Sequence, residues 1–228
     1  MNVAYNMDCM EYMKTLPDKA FDLCVVDPPY GIGESGAKNK SRSKMAKSKD
    51  YRPFAGNDKE APPKEYFAES CRVSKNQIIF GANHFAERLV TPKSSCWIVW
   101  DKDNGESDFA DCELAYTSFD SATRIFRFRW HGMLQGNMKH KEIRIHPTQK
   151  PVALYEWIYR RYAKPGDKIL DTHLGSGSSR IAAYDAGLDF VGCEIDPYYF
   201  AAQEDRFAAY TAQLDMFHEV EAAHDEAE

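Results

Sequence analysis

Residues 167–194 read DKILDTHLGSGSSRIAAYDAGLDFVGCE, and this stretch decides the fold class. It opens with a short apolar run that follows a Pro-Gly pair, which predicts a β-strand over 167–170. A glycine-containing loop comes next, followed by a helical segment over 178–186 and a second apolar run over 190–193. A strand, a helix and a second strand in this order predict a βαβ unit with parallel strands.

The same alternation continues outward from this unit. Further strands are predicted over 3–5, 21–26, 77–80, 96–100, 113–117 and 125–128, and further helices over 7–16, 64–73, 83–89, 152–162 and 198–214. Strands that alternate with helices predict an α/β fold with a mainly parallel central sheet flanked by helices. The 228 residues suit one domain over 1–218, with an acidic tail over 219–228 that we expect to be flexible.

The composition excludes several classes of protein. A chain that is 43% hydrophobic can bury a core, which excludes wholesale disorder. No run approaches the roughly 18 consecutive apolar residues of a transmembrane helix, and the first residues lack the pattern of a signal peptide, so we expect neither. The six cysteines are scattered without a CxxC pair, which argues against structural zinc and favours a reducing cytoplasm. They are Cys9, Cys24, Cys71, Cys96, Cys112 and Cys193.

Positive charge is concentrated in two predicted loop insertions, at about 31–60 and 122–149, although the net charge of the chain is −6. Residues 37–52 of the first insertion carry Lys38, Lys40, Arg42, Lys44, Lys47, Lys49 and Arg52 against Asp50 alone. The second insertion and its boundary carry Arg124, Arg127, Arg129, Lys139, Lys141, Arg144 and Lys150. Two basic loops on an acidic body are what a polyanion-binding face requires, and two solvated surface loops are the simpler alternative.

A second unusual strand end is Asp27-Pro28-Pro29-Tyr30, which follows the apolar run over 21–26. In open α/β sheets, ligands bind beyond the carboxyl ends of the strands. Two prolines supply no N–H donors and hold the turn open, so backbone carbonyl groups are left to accept hydrogen bonds. With an acidic residue before them and an aromatic ring after them, they suit a planar ring that bears an amino group. A rigid turn with a capping Asp is the alternative.

The glycine loop after the strand over 167–170 suits a nucleoside ligand. Gly175 and Gly177 allow a ligand to approach the backbone at the start of a helix. Glu194 follows the next strand, where an acidic residue is placed to hold ribose hydroxyls. The GxGxxG pattern of dinucleotide sites is absent and only a short segment follows, so a cofactor with a single nucleoside fits better than a nicotinamide dinucleotide.

These motifs resemble those of the amino-directed DNA methyltransferases, which use S-adenosylmethionine. DPPY at 27–30 resembles the catalytic motif of that family, DTHLGSGS at 171–178 its cofactor loop, and HPTQKP at 146–151 the segment before that loop. The catalytic motif comes first, as in the circularly permuted β group, and the likeness is greatest to small phage-type and orphan enzymes. The resemblance covers about residues 3–210 and implies the Rossmann-like fold of methyltransferases that use S-adenosylmethionine.

The resemblance also implies roles for individual residues. Asp27 and the Pro28 carbonyl would bind the target amine, within the motif that Pro29 completes, and Tyr30 would stack on a base flipped out of the duplex. Asp8 would accept a hydrogen bond from the cofactor's adenine. The remaining cofactor-binding residues are expected to be Thr148, Gln149, Lys150, Asp171, His173, Gly175, Ser176, Gly177, Ser178 and Glu194. His173 is a departure, because the family usually has Phe where this chain has His.

The resemblance makes DNA the expected partner and suggests a homodimer. The residues expected to contact DNA are Lys38, Lys40, Arg42, Lys44, Lys47, Lys49, Arg52, Arg127, Arg129, Trp130, Lys139 and Lys141. His131, His140 and His146 are spaced too loosely for a metal site, so no metal is expected. Trp97 and Trp100 lie in an apolar run and are expected to pack in the core.

The function that follows is transfer of a methyl group to the exocyclic N6 amine of adenine in DNA, because Asp at the first motif position favours adenine in this family. Transfer to N4 of cytosine is the alternative within the class, and RNA remains an alternative substrate. A catalytically silent nucleic-acid-binding protein with the same fold is a third interpretation, and the intact Asp27, Tyr30 and Glu194 argue against it. A nicotinamide-dependent dehydrogenase is disfavoured by the glycine spacing and the two prolines.

Overall fold

A computed structural model of the chain describes residues 1–33, 51–52, 58–91, 94–105, 110–131 and 134–225, with side chains described to residue 213. Within these ranges a central sheet has eight strands in the order β1-β10-β9-β2-β3-β5-β4-β6, and β7 and β8 form a separate hairpin. The strands are β1 (Asn2–Tyr5), β2 (Phe21–Val26), β3 (Ser74–Phe80), β4 (Trp97–Asp101), β5 (Cys112–Thr117), β6 (Arg124–Arg127), β7 (Trp130–His131), β8 (Leu134–Gln135), β9 (Lys168–Asp171) and β10 (Asp189–Cys193). The helices are α1 (Cys9–Lys14), α2 (Lys64–Val73), α3 (Val152–Tyr162), α4 (Ser178–Asp185) and α5 (Pro197–Asp225).

Seven strands of the central sheet run in one direction, and β5 runs in the opposite direction. The pairs β1–β10, β10–β9, β9–β2, β2–β3 and β4–β6 are parallel, whereas β5 pairs antiparallel with both β3 and β4. The sheet is therefore mainly parallel, as the alternating pattern predicts. One consequence is that the amino end of β5 lies at the same edge as the carboxyl ends of its neighbours.

Helices cover both faces of the sheet, and β2 shows why. Every residue of β2 except Asp22 is buried. Leu23 and Val25 pack in a core cluster with residues of α3 and α4, whereas Cys24 and Val26 pack in a second cluster with residues of α1 and α2. Successive side chains of a strand point to opposite faces, so a continuous apolar run requires cover on both sides.

Most of the predicted elements are present, with three differences. The segment predicted as a helix over 83–89 forms two short 3₁₀ turns, Ala82–His84 and Ala86–Arg88. The last helix continues to Asp225 rather than ending at residue 214, and the expected flexibility of 219–228 stays a prediction. The loop predicted over 129–149 contains the β7–β8 hairpin, whose two-residue strands are too short to give a sequence pattern.

Trp130 corrects one prediction of a DNA contact. Its indole is only 8% exposed, and its N–H donates to the backbone carbonyl of Gln149 at 2.7 Å. Stacking of this ring on nucleic acid is therefore wrong, because the ring already packs in the core cluster that contains Phe80 and Trp100. Trp100 is buried as predicted, and Trp97 packs half-buried against the other cluster.

Among the helices of the described residues, none is both long and apolar enough to cross a membrane. The described residues also contain no group of three or more His, Cys, Asp or Glu side chains arranged to hold a metal ion.

Candidate active site

The two strand-end motifs meet at one edge of the sheet. Strands β2 and β9 are parallel neighbours, with Leu23 opposite Ile169 and Cys24 opposite Leu170. Asp27 comes three residues after Cys24 and Asp171 directly follows Leu170, so both carboxylates leave the sheet at adjacent carboxyl ends. The predicted catalytic turn and the predicted cofactor loop therefore lie side by side, which is where α/β sheets bind ligands.

The turn at 27–30 is held in place by Asp58, a residue that the sequence analysis did not identify. Its side chain accepts hydrogen bonds from the backbone N–H groups of Tyr30 and Gly31 at 2.5 and 2.9 Å, and from that of Ile32 at 3.2 Å. Asp58 is only 5% exposed, and its carbonyl accepts from Gly33 N–H at 2.8 Å. A buried carboxylate that accepts successive backbone donors fixes the loop after the two prolines.

The ring of Tyr30 packs against Gly81, which follows β3. A Cβ atom at Gly81 would lie 2.1 Å from Cε1 of Tyr30, and Gly81 has a φ of +67°, so both the space and the backbone require glycine. His84 stacks on the same Tyr30 ring, with 5.2 Å between ring centroids and 16° between planes. The aromatic side chain of the motif is thus fixed by the neighbouring strand end.

Lys150 forms the closest contact to the Asp27 carboxylate. Its Nζ lies 2.5 Å from Oδ2 of Asp27, while Oδ1 accepts from the Tyr30 hydroxyl at 2.7 Å. Lys150 also donates to the Tyr30 hydroxyl oxygen at 3.1 Å, and its side chain is only 4% exposed. The predicted catalytic acid is therefore held by a buried ammonium group and a phenol.

Glu113 completes this cluster from β5. Its Oε2 lies 3.0 Å from Nζ of Lys150, and its Oε1 lies 2.5 Å from Nζ of Lys102. Glu113 reaches the site because β5 is antiparallel, which brings its second residue to the edge where β2 ends. The sequence analysis missed it because nothing in a short apolar strand shows its direction.

The protonation states of the cluster follow from burial and charge. Burial raises the pKa of Asp27, Lys150 opposes that rise, and the negative charge of Glu113 adds to it. Burial also disfavours ionised Glu113, but Lys150 and Lys102 outweigh it and lower the pKa of Glu113 to about 2. Burial would lower the pKa of Lys150, but the two carboxylates reverse this effect and raise it, so Lys150 is an ammonium ion.

The glycine loop begins at Asp171, the last residue of β9. Asp171 is 2% exposed and accepts hydrogen bonds from the Ser179 hydroxyl and, at 3.0 Å, from the backbone N–H of His173. Burial raises its pKa to about 7, although these two hydrogen bonds oppose the shift. Asp171 thus ties the beginning of the loop to the first turn of α4.

Glu194 closes the loop from the end of β10. Its Oε2 accepts from Gly175 N–H and its Oε1 from Asp196 N–H, both at 2.8 Å. Gly175 and Gly177 have φ values of +53° and +73°, the left-handed conformation that glycine adopts without strain. Asp8 caps α1 by accepting from Met10 N–H at 2.6 Å. The predicted acidic acceptors therefore follow β1 and β10, which are neighbours.

His173 packs where the resembled family has Phe. Its Nδ1 lies 2.9 Å from the Thr172 hydroxyl and 3.4 Å from the Tyr66 hydroxyl, and its ring meets the Tyr66 ring edge-on at 5.3 Å. Burial lowers its pKa to about 4, so the ring is neutral near pH 7. A neutral aromatic ring in this position does the packing that Phe would do.

Arg206 of α5 contacts the glycine loop, and the sequence analysis did not identify it. It donates to the Ser176 carbonyl at 2.7 Å and to the Ser178 hydroxyl at 2.9 Å. Its other amino group lies 2.7 Å from Oε2 of Glu142, whose Oε1 accepts from Val152 N–H at 2.9 Å. This ion pair joins the glycine loop to the segment before α3.

The predicted cofactor residues at 148–150 have other partners. Lys150 contacts Asp27 as described above, and Oε1 of Gln149 accepts from Ile145 N–H at 2.9 Å. The Thr148 hydroxyl lies 3.1 Å from Nδ1 of His146. Cofactor contacts by these three residues stay a prediction.

The residues predicted to bind DNA are only partly described. Lys38, Lys40, Arg42, Lys44, Lys47 and Lys49 lie outside the described residues. The exposed Arg127 and Arg129 pair with Asp101 and Asp103, and Lys139 and Lys141 are exposed. Arg52 lies over the Tyr198 ring at 5.1 Å, and its carbonyl accepts from the Tyr199 hydroxyl. Contacts of all these residues with DNA stay a prediction.

The sheet order and the loops at its carboxyl edge form a Rossmann-like α/β fold that solved DNA methyltransferases share. Two solved structures have this fold. The M1.HpyAVI–SAM complex has a TM-score of 0.58 at 21% identity and is matched over 91% of this chain and 99% of that chain. The cytosine-N4-specific PvuII DNA methyltransferase has a TM-score of 0.59 at 13% identity, over 91% of this chain and 86% of that chain.

Residues 99–205, slightly less than half of the chain, match the DNA methylase family N6_N4_Mtase. The match begins within β4, after the motif at 27–30, and it includes the β7–β8 hairpin and the glycine loop. A relative that spans that motif is the type II methyltransferase M2.MboI of Moraxella bovis. It is 24% identical over 92% of this chain and 89% of its own length.

The contact between Gly81 and Tyr30 predicts a steric effect on stability. Gly81→Ala and the control Gly187→Ala both force Ala into a left-handed backbone, at φ values of +67° and +64°. Nothing lies within 4 Å of a Cβ at Gly187, so that variant should lose only the stability that backbone strain removes, about 1–2 kcal/mol. Gly81→Ala must also displace Tyr30, and we expect about 1–3 kcal/mol more loss in chemical denaturation. Equal losses in the two variants would contradict the packing described here.

The burial of Asp171 predicts a pH-dependent stability in the ligand-free protein. Its folded pKa of about 7 is above that of an unfolded Asp, about 3.9, so its contribution is complete below about pH 4 and is lost as pH rises through 7. The Asn of Asp171→Asn cannot ionise. Between about pH 4 and pH 8, the loss of unfolding free energy measured by chemical denaturation should be smaller in this variant than in the unchanged protein. We expect a difference on the order of 4 kcal/mol.

The control for this measurement is Asp205→Asn, which changes an exposed carboxylate on α5. It should follow the pH dependence of the unchanged protein. If Asp171→Asn also follows it, Asp171 is not ionising in the interval.

Proposed function

We propose that this chain is an S-adenosylmethionine-dependent DNA methyltransferase that methylates the exocyclic N6 amine of adenine. The observation that carries the proposal is the pairing of β2 with β9, which sets Asp27 beside the glycine loop at one edge of the sheet. An acceptor for an amine and a nucleoside-binding loop are the two parts that this reaction needs. The family match over 99–205 supports DNA methyltransferase activity at N6 or N4 amines.

The residues around the glycine loop fit S-adenosylmethionine. Glu194 is held beside Gly175 by a backbone hydrogen bond of 2.8 Å, and a carboxylate in this position can accept from ribose hydroxyls. Asp8, after the neighbouring strand β1, is an acceptor for the adenine amino group. When bound, the cofactor supplies a methyl group activated by the positive charge of its sulfonium.

Asp27 is proposed to activate the target amine together with the Pro28 carbonyl. The lone pair of an exocyclic amine is delocalised into the base, and two acceptors on its N–H groups favour a pyramidal and more nucleophilic nitrogen. These acceptors would hold the nitrogen in line with the methyl carbon of a bound cofactor, which would supply the methyl group and keep the electron pair of the carbon–sulfur bond. The proton that the methylated nitrogen loses would pass to the Asp27 carboxylate or to water. Positioning supplies much of the rate, and the Asp27 carboxylate stabilises the positive charge that develops on nitrogen.

Tyr30 is proposed to stack on the flipped base. Extrusion from the duplex costs a few kcal/mol, and stacking on an aromatic ring returns roughly 1–3 kcal/mol. The Tyr30 ring is fixed by Gly81 and by its hydroxyl contacts to Asp27 and Lys150, so it is preorganised to receive a planar ligand. His84, which stacks on the same ring and is exposed, would give way to the base or stack beyond it.

Adenine is proposed over cytosine because of Asp27. In the resembled family an acidic first residue of this motif favours N6 of adenine, whereas Ser is commoner in enzymes that act on N4 of cytosine. Cytosine remains the second candidate, because the fold is shared with the cytosine-N4-specific PvuII enzyme.

The target base is identified by incubating the protein with isotopically labelled S-adenosylmethionine and duplex DNA of mixed sequence, followed by nucleoside mass spectrometry. We expect labelled N6-methyladenine. N4-methylcytosine would assign the second candidate, and the absence of any methylated nucleoside would overturn the methyltransferase proposal. Single-stranded DNA and RNA, incubated in parallel, identify the preferred nucleic acid.

The role of Asp27 predicts that catalysis and cofactor binding can be separated. Asp27→Ala, and the isosteric Asp27→Asn, should lose methyl transfer by 100-fold or more, on the order of the loss when one group that stabilises a transition state is removed. The affinity for S-adenosylmethionine, measured by calorimetry, should change little, because Asp27 follows β2 whereas the glycine loop follows β9. Asp205→Asn is the surface control. Full turnover in Asp27→Ala would refute the assignment.

A further inference from the structure

The Lys150 ammonium group binds the Asp27 carboxylate, which is the acceptor that the target amine needs. Its Nζ lies 2.5 Å from Oδ2 of Asp27, and the other oxygen of Asp27 is engaged by Tyr30. An N–H of the target base is a weaker donor than an ammonium ion, because the ammonium carries a full charge. A base that enters the site therefore competes with Lys150 for the same acceptor.

Lys150 also opposes the chemistry through its charge. Positive charge develops on the amine nitrogen during transfer, and a second positive charge beside the same carboxylate disfavours that transition state. Lys150 is 4% exposed and cannot turn to bulk water without a rearrangement of the core around Phe80, over whose ring its Nζ lies at 4.8 Å. The ammonium therefore needs a second anion within reach inside the site.

Glu113 is that anion. Its Oε2 lies 3.0 Å from Nζ of Lys150, so the ammonium can leave Asp27 by a small movement while keeping a carboxylate partner. Lys102 holds the other oxygen of Glu113 at 2.5 Å, which fixes the orientation of the carboxylate. The four groups Lys102, Glu113, Lys150 and Asp27 form an alternating row of charges with no net charge.

We propose that Glu113 is a positioning residue for methyl transfer, which takes over the Lys150 ammonium when the target amine binds Asp27. The inference rests on the proposed function, and it names a residue that the motif at 27–30 does not contain. Glu113 acts through Lys150, so it need not touch the base or the cofactor. Without it, the ammonium remains on Asp27 and blocks the acceptor.

The groups that act electrostatically on Asp27 come from several elements. They are Lys150 before α3, Tyr30 in the same turn, Glu113 on β5, Asp171 at the end of β9 and Tyr155 on α3. Lys150 favours ionised Asp27, and the charge of Glu113 disfavours it. Neutralising Glu113 must therefore lower the pKa of Asp27, an effect that loss of packing alone does not produce.

The test compares Glu113→Gln with the charge-conserving Glu113→Asp and with the surface control Glu65→Gln. We expect kcat of Glu113→Gln to fall tenfold or more, with little change in the affinity for S-adenosylmethionine. The acid limb of its kcat profile should move to lower pH. The ¹³C signal of the Asp27 carboxyl carbon, assigned with Asp27→Asn, should titrate at lower pH in the free protein. Glu113→Asp should recover part of kcat, and Glu65→Gln should match the unchanged protein.

A double variant separates this role from a structural one. Lys150 is also expected to bind the cofactor, so the Lys150→Gln background is assayed at saturating S-adenosylmethionine. It has no ammonium to hold, so adding Glu113→Gln should change kcat less than twofold. If Glu113→Gln lowers kcat equally in both backgrounds and leaves the acid limb in place, Glu113 is merely structural and the inference fails. Unchanged kcat in the single variant overturns it as well, while the proposed function stands. If the unchanged protein methylates no base, the proposed function and this inference fall together.

Discussion

The parallel pairing of β2 with β9 is the constraint on which the site depends. Hydrogen bonds between these strands set Cys24 opposite Leu170, and the strands then end within three residues of that pair. The turn at 27–30 and the loop that starts at Asp171 are more than 140 residues apart along the chain, yet they leave the sheet side by side. A shift of one residue in this register would turn the buried side chains of β2 to the wrong face of the sheet. The core that holds the sheet together therefore also fixes the distance between the two parts of the site.

Burial of the many charged groups in this site costs desolvation free energy, and the structure places a partner beside each group. Desolvated charges destabilise a fold unless each has a partner with good geometry. The Asp27 carboxylate is matched by Lys150, Glu113 by Lys150 and Lys102, and Glu142 by Arg206. Asp58 and Glu194 are instead satisfied by backbone N–H groups of the loops they hold. Asp58 and Glu194 thus orient the loops, and removal of one partner from any of the three ion-paired groups would leave an uncompensated buried charge rather than only a weaker contact.

The sequence could predict the elements and the two motifs because both depend on local chemistry. The runs over 21–26 and 64–73 and the segment over 152–162 form the elements expected of them, with the same bounds. Glu113 could not be found in this way, because its place at the site depends on the direction of β5, and direction follows from pairing with distant strands. Asp58 was missed for a similar reason, since its partners lie 26–28 residues earlier in the chain. Trp130 was misassigned because charged neighbours suggested a surface loop, whereas its ring packs in the core cluster with Phe80 and Trp100.

The order of the motifs along the chain matters less than the order of the strands in the sheet. Strand β1, from the start of the chain, pairs with β10, from near its end, and Glu194 N–H donates to the Tyr5 carbonyl at 3.0 Å. The Asn6 side chain adds a hydrogen bond to the Glu194 carbonyl at 2.8 Å. Residues from both ends of the chain are in this way joined beside the glycine loop. Since strand pairing, and not covalent continuity, brings these groups together, a chain that places the motif at 27–30 before the glycine loop can build the same site as one with the opposite order.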